Sequence, residues 1–386
     1  MTVEEDPHWA ASVAWLVQVL RSVGNDGTVH APVTVPTGIP ADALARAADF
    51  HGVAGFARLA VGEPTPELTG LVHAAQARHL RALDDLRLVV GVLGDAGVDV
   101  LVVKGPALVA TCYAGPLLRS YVDLDIAVRP TDVGRAVVAL EEAGCTLLDA
   151  NWPLLTELGV KELFVEGRSG GAIDLHWGLG GSVGTAAPLD RLLARAVELE
   201  EGTGVRYLTL APWDFVVEVA VHAALSGGHR LVWLTDLRGA LDHAARVGPD
   251  GSLGRAASEW GAGPAVDLMV RRAHRIIGMP VPPGLPLPAR VGPWPALARV
   301  ADAVAPPPLV GQGGAVSRLV ARSCRSTQLG SFGAALGKAR AWRREGRTTR
   351  FGTDVLLSQD DPRSGFYPAG GPEAREAFFD KVAHDG

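Results

Sequence analysis

The sequence predicts an α+β / α/β protein in which a small sheet-bearing core is flanked by N-terminal and C-terminal helical regions. Three observations carry this. Apolar residues recur at helical spacing through about the first 95 residues. From residue 98 the pattern shortens to that of strands alternating with short helices, and after Pro212 the helical period returns. The division that follows is an N-terminal helical region over 1–96, a core over 97–211, a C-terminal helical region over 212–357 and a partly disordered tail over 358–386.

Each element has its own reason. Trp15, Val19 and Leu20 mark an opening helix, and Leu83, Leu86, Val90 and Leu93 mark a later one that stops at the turn sequence GDAG. "VDVLVV" reads as a strand closed by Lys104-Gly105-Pro106, and Pro106 suits the first turn of the helix "ALVATCY" because it lacks a donor there. "VDLDIAV" is the next strand, and Pro130 and Thr131 open a helix holding Val133, Val137, Val138 and Leu140. "GCTLLD" reads as a third strand, and "KELFVEG" and "AIDLHW" as a hairpin joined by "GRSGG". "WDFVVEVAVHAAL", "LVWLTDLRGALDHAARV" and "GPAVDLMVRRAHRIIG" are successive helices, followed by two proline-rich loops. The last thirty or so residues are rich in Gly, Pro and charge.

Composition narrows the class. Of 386 residues 48% are hydrophobic and 20% charged, the proportions of a soluble globular chain. Acidic residues number 42 against 36 basic ones, so a generally basic nucleic-acid-binding chain is excluded. Cys112, Cys145 and Cys324 are scattered, with no CxxC pair, so no disulfide partner and no cysteine-rich zinc site is expected. The acidic start MTVEEDPHWA has no basic or apolar signal segment, and no apolar run reaches the roughly 18 residues of a membrane span. A cytoplasmic protein without a membrane partner is expected.

Asp123 and Asp125 are the main signal. They stand two apart in an otherwise apolar strand, so their side chains project to one face. Like charges that close repel, and burying either one unpaired costs several kcal/mol. A positive partner is therefore expected. A DxD is common as a pair of solvated acids, but here a Lys-Gly turn opening a helix lies upstream and a third strand-borne acid, Asp174, lies downstream. Three converging carboxylates make a hard oxygen site suited to Mg2+. Two such ions can activate an attacking oxygen and stabilise a leaving one.

Lys104-Gly105, Tyr113, Arg119, Asp123-x-Asp125 and the later Asp174-Leu175-His176-Trp177 together resemble the nucleotidyltransferase-like proteins of the polymerase β superfamily. The segment "EVAVHAAL…RLVWLTDLRGAL" resembles the helical part of the branch known only as nucleotidyltransferase family proteins, and the resemblance spans roughly residues 98 to 245. It implies a small mixed-sheet nucleotidyltransferase core that moves a nucleoside monophosphate from an NTP, ATP included, to an acceptor, releasing pyrophosphate, with Mg2+ (or Mn2+) as cofactor. By the same resemblance Asp123 and Asp125 hold the metal on the triphosphate, and Asp174 completes a second metal site or serves as base. The acceptor is left open among protein, peptide, small molecule and RNA.

The chain departs from the superfamily at one point: the usual Gly-Ser is replaced by Lys104-Gly105-Pro106. Lys104 can take over the phosphate contact as a point charge, with Gly105 and the helix N-terminus beside it. Loss of the serine also supports an alternative, a catalytically weak binding or regulatory module on the same fold. Arg119 is expected either to fork onto the triphosphate or to pair with Asp123 or solvent. His176, His222, Trp233 and Asp236 are expected to support the site and fix helix packing, as is Tyr113. "GRSGG" matches G-x-S-x-G but reads as a hairpin turn, and "GAALGKA" falls short of a phosphate loop. The basic run Lys338 to Arg350 reads as a solvated helix face, with nucleic acid or an anionic acceptor as the other use.

Overall fold

The computed structural model describes residues 6–63, 65–180, 188–201, 204–248, 253–282, 293–308, 315–345 and 370–385. Four helices come first: α1 (Trp9–Ser22), α2 (Ala41–His51), α3 (Ala54–Ala60) and α4 (Pro66–Asp95). Thr65 caps α4 by accepting from the Leu68 N–H at 3.4 Å, and Pro66 occupies the first turn. Leu68, Val72, Ala75, His79, Leu86, Val89 and Leu93 repeat at the helical period and are its buried face.

The chain then builds a seven-stranded mixed sheet from β1 (Leu101–Val102), β2 (Asp123–Ala127), β3 (Thr146–Leu147), β4 (Glu162–Glu166), β5 (Ala172–His176), β6 (Val197–Glu200) and β7 (Arg206–Thr209). The spatial order is β3-β4-β5-β2-β1-β7-β6. β2 runs parallel to β5 and antiparallel to β1, and β1 is parallel to β7. Helices α5 (Pro106–Cys112), α6 (Val133–Glu142), α7 (Trp152–Leu158) and α8 (Leu189–Leu193) lie between strands.

The strands expected at "VDVLVV" and "GCTLLD" shrink to two residues each, because only Leu101–Val102 and Thr146–Leu147 find ladder partners. The β6–β7 hairpin and α7 were not foreseen, although Val197-Glu-Leu-Glu alternates with period two. "GRSGG" is the β4–β5 turn, closed by Gly167 N–H to Gly171 O at 2.8 Å, with the Ser169 hydroxyl given to Asp85 at 2.5 Å.

The remaining helices are α9 (Pro212–Leu225), α10 (Leu231–Val247), α11 (Leu253–Glu259), α12 (Gly263–Ile277), α13 (Pro293–Val304), α14 (Ala315–Arg322), α15 (Gln328–Glu345) and α16 (Pro372–Asp385). "GAALGKA" lies within α15 and so is helix rather than a loop; residues 346–350 of the basic run lie outside the described residues. Of the tail expected to be partly disordered, 358–369 also lie outside them, while α16 packs Phe378 and Phe379 against Trp152.

Trp15, Phe56, Leu101, Ile126, Leu175, Phe215, Leu237 and Met269 all belong to one continuous buried cluster, so helices from both ends share the core of the sheet. Asn25 links the parts: its side chain donates to Cys112 O (3.1 Å) and Thr235 O (2.9 Å) and accepts from Arg238 (2.8 Å). Cys112, Cys145 and Cys324 are free and buried. Among the described residues no helix is long and apolar enough to cross a membrane.

Candidate active site

β2 and β5 pair in parallel with Asp125 opposite Asp174. Ladder partners project to the same side, so these two carboxylates share a face, joined on it by Asp123 and His176 two residues along their strands. β4 adds Glu162, opposite His176. One ligand atom from each of Asp125, Asp174 and His176 lies within 4.8 Å of the others. Asp123 stands beside this group, at the start of β2 and half-buried.

The positive partner that the paired acids require is Lys104, at the end of β1. Its Nζ is 2.6 Å from Asp125 Oδ1, and His176 Nε2 is 3.1 Å from the same oxygen. Burial opposes the Asp125 charge, yet Lys104 and His176 hold its carboxyl well below the usual carboxylate range. Burial also opposes charge on His176, but its bonds to Asp125 and to Glu162 Oε2, 3.2 Å from Nδ1, push the imidazole up to about 10. Asp174 is pushed up to about 7 by burial and then by the charges of Asp125 and Asp123. Asp123 is pushed up to about 6 by burial and then by Asp125. Asp125 is thus neutralised by its neighbours, whereas Asp123 and Asp174 are short of positive charge.

Gly105 makes this placement possible. Its φ is 51°, and a Cβ there would come 3.2 Å from Asp123 O and 3.3 Å from the Tyr121 ring. α5 then begins at Pro106, but it has only seven residues and the Ala107 N–H already bonds Lys104 O at 3.1 Å. The donors expected of this helix start are correspondingly few.

α9 closes the other side. His222 Nδ1 accepts from Lys104 Nζ at 3.1 Å, and burial followed by the Lys104 charge pushes its imidazole down to about 3, so it is neutral. Glu218, one turn earlier, is buried, and its Oε2 has no hydrogen-bond partner. Burial raises the Glu218 carboxyl, with the Lys104 charge opposing that rise. Sequence reasoning missed Glu162 and Glu218; the signal for Glu218 was its i, i+4 spacing from His222 in an otherwise apolar helix.

Arg119 does not pair with Asp123. Its Nε and Nη2 fork onto Asp236 of α10 at 2.7 and 3.0 Å, and the Tyr113 hydroxyl donates to the same carboxylate at 2.5 Å. Arg119 Nη1 is buried without a hydrogen-bond partner. Trp233 stands outside this knot, half-buried and edge-on to His222 at 6.0 Å.

The donor set fits a divalent ion. The Asp125 and Asp174 carboxylates, with His176 within 4.8 Å of both, are hard oxygen donors of the kind a divalent cation takes.

The mixed seven-stranded sheet with helices around it has the architecture of a nucleotidyltransferase core. A family model described as uncharacterised nucleotidyltransferase matches residues 37–278, more than half of the chain, and the protein belongs to that family. The match extends past residues 98–245 in both directions and so takes in α2, α3, α4, α11 and α12. No curated protein matches the chain.

Proposed function

We propose that the protein transfers a nucleoside monophosphate from an NTP to an acceptor nucleophile, releasing pyrophosphate, with Mg2+ or Mn2+ at Asp125 and Asp174. The observation that carries this is the parallel register that sets Asp125 against Asp174 with His176 within 4.8 Å. Bound there, a divalent ion would supply positive charge against the triphosphate and the leaving pyrophosphate. His176 holds Asp125 from one side and Glu162 from the other, fixing the orientation of the acid. Arg119, forked onto Asp236 and within electrostatic reach of Asp123, is a fixed positive charge beside the acids for the triphosphate to meet. Asp174, facing Asp125 across the parallel register, either completes the metal site or serves as base toward the acceptor nucleophile. Asp123 extends the acidic face towards a second ion.

The test is incubation of the protein with each labelled NTP and Mg2+ or Mn2+, followed by a search for nucleotidylated products, the protein itself included. One observation favours a second reading, a binding or regulatory module: Lys104 already sits 2.6 Å from Asp125, as an internal cation in place of a metal. NTP binding without any turnover in either metal would select it.

A further inference from the structure

We propose that Arg230, the residue that opens α10, is a substrate-binding residue whose guanidinium holds the phosphates at the far end of the NTP. The inference rests on the nucleotidyl-transfer reading for the name of the ligand and goes beyond it in assigning the residue.

The cations beside the acids are already engaged. Lys104 lies 2.6 Å from Asp125 and 3.1 Å from His222, and His176 lies between Asp125 at 3.1 Å and Glu162 at 3.2 Å. Arg119 spends Nε and Nη2 on Asp236, at 2.7 and 3.0 Å. A triphosphate carries several negative charges, and its transfer depends on fixed positive groups that meet them.

Arg230 is placed differently. Its Nε donates to Phe50 O at 2.5 Å, and its Cζ lies 5.6 Å from the centroid of the Phe50 ring and 6.0 Å from that of Trp233. These contacts fix the group between α2 and α10. They leave Nη1 and Nη2 with no hydrogen-bond or ion-pair partner among the described residues. The side chain is half-buried, and burial lowers its proton affinity, with the charges of Asp49 and Asp123 opposing that fall. Neither carboxylate forms an ion pair with it among the described residues. A partly desolvated cation held by a carbonyl and two rings, but given no anion, is costly as it stands. Two phosphate oxygens would relieve it, because the Nη edge of a guanidinium matches phosphate in bidentate geometry.

The position suits the end of the triphosphate rather than its reacting centre. Trp233, three residues on, stands edge-on to His222 at 6.0 Å, and His222 bonds Lys104 beside Asp125. The width of these side chains separates Arg230 from Asp125, yet its charge still reaches Asp123 at the start of β2. Phosphates that begin at Asp125 and Asp174 and run past Asp123 would meet the guanidinium at their outer end.

The wild type, Arg230→Gln and Arg230→Lys are titrated calorimetrically in Mg2+ with ATP, AMP and inorganic tripolyphosphate. Arg230→Gln is expected to bind ATP and tripolyphosphate about tenfold more weakly or worse, with AMP changed by no more than about twofold, because a charge-assisted pair is lost. Arg230→Lys keeps the charge without the fork and should fall between; it carries the test should Arg230→Gln prove unstable in thermal unfolding. An arginine that only supports the fold would weaken ATP and AMP alike, so equal losses overturn the proposal. Wild-type ATP affinity in either folded variant overturns it as well. A loss for tripolyphosphate alone would give Arg230 to an anionic acceptor, which is also a contradiction. A selective loss for ATP, in a protein that yields no nucleotidylated product, would sink the transfer reading and leave Arg230 in place. No ATP binding by the wild type would sink both.

Discussion

The Lys104 ammonium stands 2.6 Å from Asp125 Oδ1 and 3.1 Å from His222 Nδ1, so one side chain ties β1 to β2 and to α9. Both Lys104 and Asp125 are buried, at 8% and 3% exposure, where an unpaired charge is expensive. The pairing also bears on the neighbouring acids. Burial, and after it the charges of Asp125 and Asp123, raise the affinity of Asp174 for a proton, and the lysine and histidine given to Asp125 do not offset that rise.

Lys104→Ala should therefore destabilise the metal-free protein by about 3–5 kcal/mol, the usual cost of stranding a buried partner. Added Mn2+ should recover more stability in this variant than in the wild type, because Asp125 is then free of its lysine. Denaturant unfolding with and without Mn2+ measures both. If Lys104 also meets phosphate, the variant loses more affinity for an NTP than for the corresponding monophosphate. Equal losses would leave it a structural lysine.

Asp123→Asn and Asp125→Asn should each abolish metal-dependent nucleotide binding or transfer, but with different effects on stability. Asp125 is paired with two cations, so its neutralisation destabilises. Asp123 is crowded by burial and by Asp125, so its neutralisation leaves stability unchanged or slightly raised. Full activity in either variant would remove that acid from the metal site.

Asp174 gives a pH signature. Its carboxyl is raised in the folded chain from the ordinary 3.8 to about 7, so the folded state holds this proton more tightly than the unfolded state. The contribution of Asp174 to metal-free stability should therefore fall as pH rises between about 4 and 7 and stay low above that window. Asp174→Asn removes the part due to this group and leaves the part due to Asp123 below about pH 6. In EDTA at pH 8 it should be more stable than the wild type by about 1–2 kcal/mol, a discounted figure for a half-buried acid, with the gap closing near pH 4. A gap that persists at pH 4 would contradict this.

The acids were legible because a strand's period of two is written in the sequence: Asp123, Asp125, Asp174 and His176 could be placed on strand faces from spacing alone. The need for a positive partner was legible too, from like-charge repulsion. Which cation answers it was not, because Lys104 reaches Asp125 through the antiparallel register of β1 and β2, a tertiary fact. Glu162 and Glu218 were hidden for the same reason: one is set by the pairing of β4 with β5, the other by how α9 docks. The β6–β7 hairpin was missed although its alternation is present, since four-residue strands compete poorly with neighbouring helical signals.

Asp236 tests the knot behind the site. It accepts two bonds from Arg119 and one from Tyr113, all buried. Asp236→Ala should cost about 3–5 kcal/mol by leaving Arg119 uncompensated. Arg119→Lys keeps the charge but loses the fork, and should lower NTP affinity while retaining a cooperative fold. Thermal unfolding and nucleotide titration of the two variants separate these effects. Unchanged stability in Asp236→Ala would mean that the pair adds nothing to the fold.

The helices from Pro212 onward should be inseparable from the sheet, with α9 and α10 as one wall of the acceptor cleft. Phe215, Val216, Val217, Val219, Ala220 and Val221 of α9 are each at most 3% exposed, and they join the same buried cluster as Leu101 and Ile126 of the strands. A chain ending at residue 211 would keep the acids of β2 and β5 but would bare that apolar surface to water. It would also lose His222, the nitrogen on Lys104, and Asp236, the carboxylate on Arg119, so two buried cations would be left short of partners. Such a chain is expected to be poorly soluble, to lack a cooperative unfolding transition and to bind no acceptor. Light scattering and thermal unfolding of the 1–211 chain measure this directly. A monomeric, cooperatively folding and fully active 1–211 chain would place the cleft elsewhere.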